Sequence, residues 1–175
     1  MGLLFVDESK AKGYTMVAVV VPAADVADRR REMRALVLRG QRRIHFTSES
    51  DSRRRTILST LTGLGTHAHV VHCASGTDAV GRARCLSAIV DRASTDGHER
   101  IVLERDQSLE PSDRRVLYRE IARRDLRESI SYAHETAHQE PLLWIADALA
   151  WSYSRGGEWR RRIAPMVEGV EALPT

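Results

Sequence analysis

LLFVDESK, residues 3–10, followed after a short polar turn by YTMVAVVV, residues 14–21, decides the architecture of this chain. Leu3-Leu4-Phe5-Val6 is an apolar, partly β-prone run, and it reads as a short buried strand that stops where charge begins at Asp7-Glu8. Lys10 to Gly13 makes a polar turn, and Tyr14 to Val21 is a second strong strand stopped by Pro22. The two together predict a β-hairpin with a pair of acids at the end of its first strand.

Beyond the hairpin the pattern alternates between helix and strand. Val26, Met33, Leu36 and Val37 form the apolar side of a helix over about Ala24 to Leu38, with Gly40 as its stop. Ile44-His45-Phe46 is a short extended piece before a helix from about Ser52 to Leu61. His67 to Cys73 alternates as a strand, and Thr77-Asp78 caps a helix over Ala79 to Arg92. Ile101-Val102-Leu103 is a strand, Pro111-Ser112 opens a helix through about Asp125, and Ser129 to Ala133 is a last strand ending at His134-Glu135-Thr136. Pro141 to Trp151 is an apolar helix broken by Gly156-Gly157, and Trp159 to Val167 reads as a short terminal helix interrupted by Pro165. A hairpin followed by strands separated by helices predicts an α/β fold, and 175 residues fit one domain with one sizeable core.

Acids recur at the ends of apolar runs. Ile101-Val102-Leu103 leads into Glu104-Arg105-Asp106 just as the first strand leads into Asp7-Glu8, so two strands can bring carboxylates to one end of a sheet. Alternation puts Glu104 and Asp106 on a shared face but Asp7 and Glu8 on opposite faces, and Asp7 is the favoured member of its pair. Asp147 lies in the middle of the apolar helix, with Leu143 and Trp151 one turn to either side. Burying an unpaired carboxylate costs roughly several kcal/mol, so Asp147 has to meet a metal, a cation, hydrogen-bond donors or a proton. One alternative assigns Asp7 and Glu104 to strand ends and pairs Asp147 with Arg105 or Arg155.

Composition narrows the classes. The net charge of +3 lacks the strong basic signature of an obligate nucleic-acid binder, although arginine clusters at residues 29–31, 42–43, 53–55 and 160–162 offer local phosphate-binding surfaces. Cys73 and Cys85 are too few for a disulfide scaffold, lack zinc-site spacing, and read as reduced core thiols. No signal-like segment and no bilayer-length apolar run is present, which predicts a cytoplasmic protein with no membrane partner. No glycine-rich phosphate loop or serine elbow accompanies the acids. His134 and His138 are spaced for a shared helix face, but they fall on a strand end and a loop, so a zinc pair is not expected. His45 stands as a residue to orient substrate or as a structural histidine, and Glu140 before Pro141 suits the positive end of the following helix.

Taken in order, Phe5-Val6-Asp7-Glu8-Ser9, Ile44-His45-Phe46, the acid-ended strand at Glu104 and the Leu-Trp-Ile-Ala-Asp147-Ala helix resemble the bacterial proteins grouped as domain of unknown function 3800. That resemblance implies a ribonuclease-H-like fold, with a mixed central sheet flanked by helices. It matches Asp7 to the first-strand aspartate of such nucleases, Glu104 or Asp106 to the central-strand acid and Asp147 to the acid of the final helix, with Glu8 in reserve. It implies magnesium (Mg2+) or manganese (Mn2+) as cofactor, nucleic acid (RNA or DNA) as partner, and phosphodiester hydrolysis by metal-activated water. The family carries Ser-Gly after the opening acids where this chain has Ser9-Lys10, and Glu32 is only the positional counterpart of a further helix glutamate. The competing reading is a non-catalytic module of the same fold that binds nucleic acid or protein through its arginine surfaces.

Overall fold

A computed structural model describes residues 1–174. The opening hairpin forms as two long antiparallel strands, β1 (Gly2–Ser9) and β2 (Tyr14–Pro22), in register from Gly2↔Pro22 to Ser9↔Thr15. Pro22 is the last residue of β2 rather than a residue beyond it. Gly13 makes the turn possible, because its φ of +79° is strained for residues with a side chain, and a Cβ there would lie 2.7 Å from the Cys73 carbonyl oxygen.

The remaining strands are β3 (His67–Cys73), β4 (Arg100–Glu104), β5 (Ser131–Glu135) and β6 (Val167–Leu173), giving one sheet in the order β5-β4-β1-β2-β3-β6. β4 lies parallel to β1 and β5 parallel to β4, while β3 runs antiparallel to β2 and parallel to β6. The hairpin strands are therefore central, which accounts for their unbroken apolar runs.

Alternation along the strands creates two cores. Phe5, Val17, Val19, Val70 and Val102 face α5 (Leu143–Arg155), with α1 (Val26–Ala35), α2 (Asp51–Gly63) and α6 (Gly157–Ile163) contributing to the same layer. Leu4, Val6, Met16, Val71 and Leu103 face α3 (Asp78–Thr95) and α4 (Glu110–Arg123) on the other side. α2 and α3 start on side-chain caps, Ser50 accepting from the Arg53 amide and Thr77 from the Val80 amide. α5 is apolar on nearly all sides because it is buried against the sheet and under its neighbours. Its entry is held by Glu140, buried, which accepts the Leu142 amide and pairs with Arg30 of α1. Its exit is Gly156, at φ 75°.

Three boundaries differ from the sequence expectations. Residues 164–166 form a 3-10 turn containing Pro165, and the chain then becomes β6 rather than remaining helical. β5 begins at Ser131, two residues later than expected, and runs through His134 to end at Glu135. Ile44-His45-Phe46 leads into a 3-10 turn at Phe46–Ser48 in the loop between α1 and α2. Cys73 and Cys85 are free and buried, and among the described residues no helix is long and apolar enough to cross a membrane.

Candidate active site

Three adjacent strands deliver carboxylates to one row. Val6 pairs with Leu103, so Asp7 stands beside Glu104 one step further on, and Glu104 pairs with Glu135. All three point to the α5 face, since Phe5 and Val102, two residues back on their strands, lie in that core. Above the row α5 carries Asp147, whose carboxylate accepts the Phe46 amide at 2.9 Å. The loop between α1 and α2 closes over this corner and brings Arg43, which pairs with Glu104 at 3.1 Å, and His45, whose charge is felt at Asp147.

Asp7 is under the greatest electrostatic strain. Among the described residues its carboxylate accepts one hydrogen bond, from the Glu8 amide at 2.8 Å. Burial, then the charges of Glu8, Asp147 and Glu104, hold its pKa well above the ordinary aspartate value. Asp147 is raised as well, burial outweighing the Phe46 amide and the charges of His45 and Arg43. Neither Arg105 nor Arg155 meets Asp147. Arg105 pairs with Glu110 at 3.5 Å, and Arg155 lines a surface groove.

The other sequence candidates stand apart. Glu8 points to the α3–α4 face, where it pairs with Arg82 at 2.8 Å. Arg82 in turn holds buried Asp113 with two hydrogen bonds and donates to the Tyr14 hydroxyl, while Asp113 also meets His134 at 3.1 Å. Burial alone would raise Asp113, but the Arg82 and His134 contacts hold it below the usual range. Asp106 lies beyond the end of β4, so it does not share a strand face with Glu104. It is exposed and accepts from the amide and hydroxyl of Ser108, and its carbonyl accepts the Glu110 amide as α4 begins. Glu32 pairs with Arg29 on α1, and His138 is exposed in the loop before α5. Glu135 is the residue the sequence reading left out of the acid set. Its signal was an acid at the end of the last strand, as at Glu104.

The donor set is all carboxylate, which suits a hard divalent cation and not zinc or a soft metal. Asp7 and Asp147 fit that role, because neither has a cationic partner despite being largely enclosed. Among the described residues no group of three or more His, Cys, Asp or Glu is arranged as a metal site. Glu104 completes a third position only by exchanging Arg43 for the cation.

No protein-family model matches the chain, and no curated protein matches it. Among solved structures, a chain of the complex of PCNA with RNase HII from Archaeoglobus fulgidus is similar over 85% of this chain and 69% of that one, at 17% identity and a TM-score of 0.54. A likeness at that identity concerns backbone architecture, and the architecture it identifies is the one built above: a ribonuclease-H-like mixed sheet flanked by helices.

Proposed function

We propose that this chain is a divalent-metal-dependent phosphodiesterase acting on nucleic acid, with Asp7, Glu104 and Asp147 as metal-holding carboxylates and Glu135 beside them. The observation that carries the reading is the convergence of Asp7, Glu104 and Asp147 toward the carboxyl ends of parallel strands under α5, with Asp7 and Asp147 largely enclosed and in no ion pair among the described residues. Evolution seldom retains such uncompensated charge unless a ligand offsets it. The RNase HII in the similar solved structure belongs to a class of nuclease built on this fold, which favours the same chemistry here. The resemblance to the domain of unknown function 3800 proteins is part of this proposal.

Magnesium or manganese bound by these acids would supply a water of lowered pKa and positive charge at the phosphoryl oxygens. The protein's own contributions are positional. Asp147 is fixed by the Phe46 amide, so its carboxylate keeps one orientation. Asp7 is fixed by the Glu8 amide, and Glu8 is anchored by Arg82 on the far side of the sheet. Arg43 pairs with Glu104 in the free protein and, once released, offers a guanidinium to a phosphate oxygen. Glu8 and Asp106 stay outside the centre, because Arg82 and Ser108 occupy them.

Manganese titrated calorimetrically into wild type and Asp147→Asn, followed by RNA and DNA cleavage assays on the same samples, tests the reading. The expected outcome is binding and cleavage in wild type, with cleavage reduced at least ~100-fold and metal affinity lowered in the variant. Equal binding and equal cleavage in the two proteins would end it. The Arg43–Glu104 pair specifically favours a second reading, a binding module in which arginine permanently replaces metal; it predicts nucleic-acid affinity with no turnover in any divalent ion.

A further inference from the structure

Beside the acids, on the same two elements that carry Asp7 and Asp147, the surface opens into two adjoining cavities of about 320 and 240 Å³. They share Lys12 and Ser154; Ser9, Trp151 and Arg155 line the first, and Thr15, His72, Tyr153 and Arg160 the second. Ser9 lies two residues beyond Asp7 on the same face of β1, about 7 Å along the strand. Trp151 lies one turn beyond Asp147, and Arg155 a further turn on, about 12 Å from Asp147 along α5. The groove thus starts one step beyond the acids on both elements and leads away from them.

Its charge is one-sided. The chain has 24 acidic residues, yet among the described residues no carboxylate lines either cavity. The nearest acid on α6, Glu158, is taken by Arg55 at 2.8 Å and by Arg162 at 2.9 Å, which leaves Arg155 and Arg160 to the groove. Arg160 is also held in place: it lies over the Tyr153 ring at 3.9 Å and donates to the Tyr153 carbonyl at 2.9 Å, and the neighbouring His72 ring is hydrogen-bonded with Thr15 at 2.8 Å. The Gly13 turn, packed against the end of β3, sets the backbone of Lys12 beside His72.

The geometry points to a binding track for a single nucleic-acid strand, with Lys12, Arg155 and Arg160 on its phosphates, feeding the acid centre. Trp151 packs against Arg54, Phe46 and Trp159, and Tyr153 against Arg160, so these rings brace the walls of the groove and its cations meet the phosphates of one backbone. This rests on the nuclease reading for its purpose, but the binding it describes needs no metal.

The test is fluorescence anisotropy of labelled oligo-U and oligo-dT strands with chelator present, across a range of salt. Wild type is expected to bind either strand with a clear salt slope. Lys12→Glu/Arg155→Glu should weaken binding at least ~10-fold and lower that slope by about 1.4, two phosphate contacts' worth for a single strand. Arg100→Glu/Arg127→Glu, the same charge change around a cavity at the opposite end of the sheet, should stay within about twofold of wild type. No binding by wild type at low salt, equal losses from the two double variants, or tighter binding to duplex than to single strands would each overturn the track. Binding is read with metal chelated and cleavage separately with manganese added: strand binding by wild type and Asp147→Asn alike, with no cleavage by wild type in manganese, would sink the nuclease reading and leave the track standing.

Discussion

Asp7 concentrates the conflict between folding and function. Its folded pKa lies well above the ordinary value of 3.8, first through burial and then through the negative charges of Glu8, Asp147 and Glu104. The folded state therefore keeps the Asp7 proton to higher pH than the unfolded chain does. Stability falls as pH rises from the ordinary aspartate range through the raised folded value, and above that value the penalty is complete. Asparagine keeps an acceptor for the Glu8 amide but carries no charge. Asp7→Asn should consequently stabilise the metal-free protein by about 0.5–2 kcal/mol at neutral to mildly alkaline pH, with the gain vanishing in acid as wild-type Asp7 protonates. Thermal unfolding of both proteins at about pH 8 and about pH 4 checks the sign, and a variant less stable than wild type at the higher pH would contradict it. Asp7 and Asp147 were legible in the sequence because a carboxylate bounded by apolar residues has no routine explanation. Arg43 was not, since its partner Glu104 is sixty-one residues away and no local pattern announces such a pair.

At the scale of elements, the hairpin and the parallel pair β1–β4 could be read from apolar runs because both are buried on two faces. β6 could not. Val-Glu-Gly-Val-Glu-Ala-Leu is charged, contains glycine, sits at the sheet edge and exposes most of its side chains, so it lacks every signal of a core strand. The same limit hid Glu135: β5 is short and half-exposed, and a shift of two residues in its boundaries decides whether that carboxylate joins the row. Helix propensity also fails to foresee close packing. Gly81 of α3 sits so near β2 that a Cβ there would stand 2.6 Å from the Tyr14 Cβ. In an exposed helix, replacing glycine by alanine gains about 1 kcal/mol, yet here α3 would have to lift from the sheet. Because Arg82, the next residue, holds Tyr14, Asp113 and Glu8, that displacement strains the buried network too. Gly81→Ala should lose roughly 1–3 kcal/mol in denaturant unfolding, and a stabilised variant would show that the contact relaxes at no cost.

Across the whole molecule, the edge strand β6 and the candidate chemistry lie in different parts of the sheet. The acids stand on β1, β4 and β5 and under α5, whereas β6 lies at the opposite edge beyond β2 and β3. β6 covers the outer edge of β3 through parallel pairing that shifts register between Ala68 and His69, and its side chains are mostly exposed. Removing it uncovers the backbone of β3 but takes few apolar groups out of either core. A chain ending after Met166 should therefore still fold, with a loss of roughly 1–3 kcal/mol, which for a domain of this size corresponds to about 2–12 °C in Tm. If manganese is held by Asp7, Glu104 and Asp147, the rise in Tm it produces depends on its affinity for the folded state alone. The shortened chain should then show the same manganese-induced increment as the full chain from a lower starting point, whereas Asp147→Asn should show little increment from a starting point no lower than wild type. Paired melts of the three proteins, with and without manganese, separate the two contributions: an increment lost on truncation but kept in Asp147→Asn would move the metal away from the acids and toward the β3–β6 edge.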